Sequence, residues 1–164
     1  MFARVRNGYS KFLEAIVIVL MMALAIEVTI GVVFRYVGYS LVWYDEVASI
    51  LLAWLTYYAA AHAALRRAHI GCPELVHMLP PRVRLPLTLV AELCVFAFFI
   101  LLAWVGYSVL EVLATDSLVS LPEVSVLYVQ SVIPISAVLF IIAEALSLPE
   151  VLRDARTPRA GGAH

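Results

Sequence analysis

Four ionisable side chains, Glu27, His62, Glu92 and Glu144, lie within long apolar runs. Carboxylates and an imidazole in such surroundings build proton relays, ligate haem, or hydrogen-bond one helix to another. With successive runs antiparallel, His62, Glu92 and Glu144 fall at one level and are expected to form an inter-helix polar network. Glu27 falls nearer the opposite end and has no partner that the sequence can name. A relay and plain inter-helix hydrogen bonding both stay open for the three. A bis-histidine haem needs two facing histidines on different helices. Only His62 qualifies, since His69 and His77 belong to a loop and His164 to the tail.

Other chemistry is absent from the pattern. Cys72 and Cys94 have no metal-ligand spacing and read as small apolar filler. There is no phosphate-cradling glycine loop and no nucleophile–histidine–acid set. The chain reads as non-enzymatic, with no cofactor, no metal and no nucleic-acid partner expected.

A second group of polar residues brackets one apolar run. Arg35 and Tyr36, then Trp43, Tyr44, Asp45 and Glu46, precede it, and Arg66, Arg67, His69, Arg82 and Arg84 follow it. The acidic side meets the positive end of a helix dipole. Arg35, Asp45 and Glu46 either form a local ion pair that supports the helix start, or order an outer connection and touch a partner. The basic side orients the chain and meets anionic headgroups.

These residues need membrane-spanning elements to position them. Hydrophobic residues make up 64% of the 164 positions and charged residues 14%, against about 45–50% and about 25% in soluble domains. The chain is therefore expected to be an all-α integral membrane protein. Four transmembrane helices are expected at about 13–34, 47–65, 85–110 and 124–148, making one domain over 1–150, with 151–164 a flexible tail. A stretch of about 20 residues covers the ~30 Å hydrocarbon core. The first run is too long for a signal peptide and lacks a small-x-small site. Residues 2–12, with Phe2, Val5, Tyr9 and Phe12 at helical spacing, read as a short interfacial helix. Residues 73–79 read as a surface turn or two. Pro86 falls in the first turn of span three, and Pro134 is expected to kink span four. Tyr36, Tyr39, Trp43, Tyr44, Tyr107 and Tyr128 suit interfacial belts. Trp54 and Trp104 lie mid-span and face either another protein or the bundle.

Basic residues set the orientation. Going along the chain, three precede span one, one follows it, four follow span two, none follow span three and three follow span four, which accounts for all eleven. Both termini and the middle loop are expected in the cytoplasm.

In this order the motifs resemble the small membrane subunit of TRAP transporters, the tripartite ATP-independent periplasmic systems (DctQ-like). The resemblance covers about residues 10–150. It rests on Arg35-Tyr36, on Trp43 with Asp45-Glu46, on His69-Ile70, on Leu79-Pro80 with Arg82 and Arg84, and on Leu121-Pro122, Tyr128 and Pro134-Ile135. Ser49 stands where the family often has a basic residue, and Ser136 where it often has glycine.

The resemblance implies a bacterial inner-membrane scaffold in a sodium-coupled transporter of organic acids. Its partners would be a large multi-span subunit, a periplasmic substrate-binding protein and membrane lipids. Arg35, Tyr36, Trp43, Asp45 and Glu46 would meet a partner. The alternative is a membrane anchor for a haem or quinone oxidoreductase.

Overall fold

The computed structural model describes residues 2–66 and 81–156, with side chains over 4–66 and 83–153. The described residues are almost wholly helical: α1 (Phe2–Tyr36), α2 (Tyr44–Leu65), α3 (Pro81–Val112), a 3₁₀ turn (Leu113–Thr115), α4 (Val126–Gln130) and α5 (Val132–Arg156). Four segments are long and apolar enough to cross a membrane: Arg4–Tyr36, Tyr44–Leu65, Val83–Thr115 and Val126–Arg153. The all-α, four-span architecture read from composition is therefore present.

The boundaries differ in instructive ways. α1 absorbs residues 2–12 into one unbroken 35-residue helix, roughly 50 Å long. Nothing between Tyr9 and Leu13 breaks it, so the amphipathic lead-in continues the span instead of forming a separate interfacial helix. Gly38, two residues past the last α1 residue Tyr36, closes the helix off with a φ of 88° that only glycine adopts freely. Tyr39 N–H reaches the Phe34 carbonyl at 3.0 Å and Gly38 N–H reaches Arg35 at 3.2 Å, a Schellman closure.

α3 starts at Pro81, where a fixed φ and a missing N–H suit the first helical position. Pro86 is thus inside the helix and not in its first turn. At the other side of the bundle, helical geometry is interrupted at Ser131, three residues before Pro134, and it then continues through Pro149. α5 reaches Arg156, into the stretch expected to be tail. The surface turn expected at 73–79 lies outside the described residues.

Packing runs α1 on α2, α2 on α5, and α5 on α3. The buried core gathers Leu13 of α1, Ala61, Ala64 and Leu65 of α2, and Phe140 and Ala143 of α5. Alanines at the end of α2 let α5 approach closely. Phe99 of α3 stacks on Phe140 with centroids 3.6 Å apart. Large side chains elsewhere on α1 and α3 point outward, which costs nothing against lipid tails.

Polar side chains then bind helix to helix through main-chain carbonyls. Tyr9 Oη donates to Leu139 at 2.7 Å, and Ser147 Oγ lies 3.4 Å from the Leu65 carbonyl. Trp54 Nε1 donates to Val129 at 2.9 Å, on the last turn of α4, where carbonyls lack helical donors. Trp54 therefore serves the bundle, whereas Trp104 is 74% exposed.

Candidate functional site

The best-built polar arrangement lies at the acidic shore. Asp45 and Glu46 occupy the first turn of α2, ahead of the apolar stretch that begins at Val47. Glu46 does not cap its own helix. Its carboxylate crosses to the 113–125 connection. There Oε1 accepts the Val119 N–H at 3.2 Å. Oε2 accepts the Ser120 N–H at 2.9 Å and the Ser120 hydroxyl as well.

The connection that Glu46 holds is itself ordered. Ser117 and Ser125 form an antiparallel bridge, and Leu118 N–H bonds the Val124 carbonyl at 3.0 Å. Ser125 Oγ caps α4 by accepting from Leu127 N–H. Leu118 is buried beneath, while Val119 at the tip is 94% exposed. The result is a rigid apolar knob fixed by one carboxylate.

The other sequence-predicted residues surround this clasp without joining it. Arg35 and Tyr36 end α1, with Tyr36 92% exposed. Trp43 is half-buried at the N-cap of α2, without a capping side-chain bond. Asp45 is exposed, and its carbonyl accepts from Ser49 Oγ at 2.7 Å. No ion pair joins Arg35 to Asp45 or Glu46. The local-pair reading of Arg35 finds no contact to support it. Sequence reasoning missed Val119 and Ser120, whose only signal was a serine-rich turn around Leu121-Pro122.

The intramembrane residues stand differently. His62 is in the last turn of α2 beside buried Ala61 and Ala64. The core there includes Ala143 of α5, next to Glu144, with Val95 of α3 packed against it. Packing brings residues adjacent to His62 and Glu144 together. His62 Nδ1 and one Glu92 oxygen are buried without hydrogen-bond partners, as are both Glu27 oxygens; Glu144 is engaged. At the basic shore, Arg66 pairs with Glu14 at 3.2 Å. Arg84 is 3% exposed and engaged, so it is not open to headgroups: burial on α3 removes it from the surface. Arg67 and His69 lie outside the described residues, as does the side chain of Arg82. No group of three His, Cys, Asp or Glu among the described residues forms a metal-holding cluster.

Four apolar spans with this acidic shore leave the family to be decided by sequence comparison. The model of the DctQ component of tripartite ATP-independent periplasmic transporters matches residues 24–154. The chain belongs to the DctQ family. It is also 30% identical over 102 residues to the C4-dicarboxylate TRAP transporter small permease protein DctQ of Vibrio cholerae. That match covers 62% of this chain and 44% of the relative, so the chain spans under half of that protein. The DctQ family consists of transporter components and not enzymes, which makes this a small TRAP permease subunit, multi-pass in the bacterial inner membrane. The oxidoreductase-anchor alternative gains no support.

Proposed function

We propose that this chain is the non-catalytic small subunit of a sodium-coupled tripartite transporter for organic acids. It packs against and stabilises the large transport subunit and helps dock the periplasmic substrate-binding protein. Membership in the DctQ family supports the role, and the C4-dicarboxylate named for the Vibrio relative supports the substrate class. Both termini lie in the cytoplasm, as the distribution of the eleven basic residues favours. Pro134 bends the fourth span, because the Gln130 carbonyl has no N–H to accept four residues on. Residues 1–150 act as one four-helix domain.

The observation that carries docking is the Glu46 clasp. It spends a carboxylate on fixing an exposed outer turn, not on its own helix. Tyr36 and Val119, both nearly fully exposed, supply apolar contact area, and Arg35, Trp43 and Asp45 supply the polar rim.

The test is a mild-detergent pull-down from native membranes, with mass spectrometry of what stays bound, alongside uptake in a deletion strain. Recovery of one large multi-span partner with loss of organic-acid uptake is expected. Recovery of a flavin or iron–sulfur subunit, or uptake untouched by deletion, overturns the reading.

A further inference from the structure

At the end of the bundle opposite the Glu46 clasp, a cleft of about 390 Å³ opens between the first turns of α1, the end of α2 and the late part of α5. Arg6, Asn7 and Ser10 line it from α1, Leu65 and Arg66 from α2, and Glu150 from α5. Arg6 pairs with Glu150, and Arg66 with Glu14 behind it. These contacts fix the guanidinium planes without covering them, since Arg6 and Arg66 remain 33% and 56% exposed. The wall thus offers two guanidiniums, an amide and a hydroxyl as donors, with one carboxylate beside them.

That pattern is not a plain anion site. An anion alone would meet Glu150 as a like charge, and a cation alone would meet two arginines. The complementary ligand carries a phosphate and, a few ångströms away, a protonated amine with N–H donors. Guanidinium suits phosphate through paired N–H bonds, and a primary ammonium gives Glu150 a charge-assisted bond.

Position selects the source. Leu65 is the last residue of the apolar run of α2, so the cleft sits where hydrocarbon gives way to headgroups. A soluble phosphate ester would gain nothing from that position.

We propose that this cleft binds a phospholipid headgroup of the ethanolamine type, with its phosphate on Arg6 and Arg66 and its ammonium on Glu150. The lipid then straps α1 to α2 and α5 at the basic shore. The proposal does not rest on the transporter reading.

The test uses the purified full-length chain, stripped of lipid and retitrated with one probe at a time. The probes are dioleoyl phosphatidylethanolamine, the matching phosphatidylcholine and phosphatidylglycerol, and glycerophosphoethanolamine without acyl chains. Native mass spectrometry reads retention. Phosphatidylethanolamine is expected to bind roughly fivefold or more tightly than the other two lipids. Phosphatidylcholine retains the phosphate but has no N–H for Glu150. Glu150→Gln is expected to bring the ethanolamine and choline lipids to parity while keeping phosphatidylglycerol binding. Arg66→Gln, at an exposed position, is expected to weaken all three lipids roughly fivefold, with helical content unchanged by circular dichroism.

Equal retention of the three lipids in the parent chain overturns the proposal. So does phosphatidylglycerol binding tightest, or an ethanolamine preference that survives Glu150→Gln. Saturation by glycerophosphoethanolamine at the lipid's own concentration would assign the cleft to a soluble phosphate ester and equally overturn it.

Discussion

Glu46 shows how one residue can make a flexible connection into a surface. The base of the 113–125 connection is held by its own bridge and cap, but its tip, with Val119 out in solvent, has little of its own to fix it. Two backbone N–H groups and a hydroxyl aimed at one carboxylate supply that fixing. Glu46→Gln keeps the size but has one acceptor oxygen in place of two, and no charge. It is expected to cut uptake severalfold in a reconstituted system while co-purification with the large subunit stays intact. Unchanged uptake would leave Glu46 a purely local role.

At the scale of elements, two glycines set how closely helices approach. A Cβ at Gly31 would overlap the Tyr44 ring of α2. That ring is the end of a side chain and can swing aside. A Cβ at Gly106 would instead stand 3.0 Å from Ile133 and 3.3 Å from the Pro134 backbone nitrogen, and a main chain cannot step away. Gly106→Leu is therefore expected to separate α3 from α5 at a cost of about 1–3 kcal/mol, read as a lower melting midpoint in detergent. Gly31→Ala should cost less, and Tyr44→Ala should rescue it. Removing the inter-helix bond with Tyr9→Phe should cost about 1 kcal/mol.

The difference between these sites also explains what the sequence made legible. Four spans could be read because apolar runs of that length have no alternative solvent. The acidic shore was legible too, since Asp45 and Glu46 open a helix directly after Trp43 and Tyr44. The partner of Glu46 was not, because 73 residues separate it from Val119 and no periodicity encodes a contact between a helix start and a distant loop. Arg84 misled for a related reason: a basic residue near a span end reads as a surface anchor, and only tertiary packing reveals that it is buried. Pro86 depended on where α3 begins. Once Pro81 takes the first helical position, a proline five residues later must be internal.

At the scale of the whole molecule, charge asymmetry and packing asymmetry point the same way. The cleft with its arginines and the buried core both sit toward one end of the spans, while the clasp, Tyr36 and Val119 occupy the other. Translocating lysine or arginine is penalised during insertion while carboxylates pass with little bias. In the orientation we propose, the end holding Arg6 and Arg66 therefore stays in the cytoplasm, and the Glu46 turn is delivered to the periplasm. A variant with Cys72 and Cys94 replaced by alanine carries this to a test. Ser117→Cys, exposed on the outer turn, should react with a membrane-impermeant maleimide on intact spheroplasts. Ala160→Cys, beyond the last span, should react only after lysis. The opposite labelling would put the clasp in the cytoplasm, where no periplasmic protein could reach it. Docking and orientation would then fall together, even though every helix stayed where the structure has it.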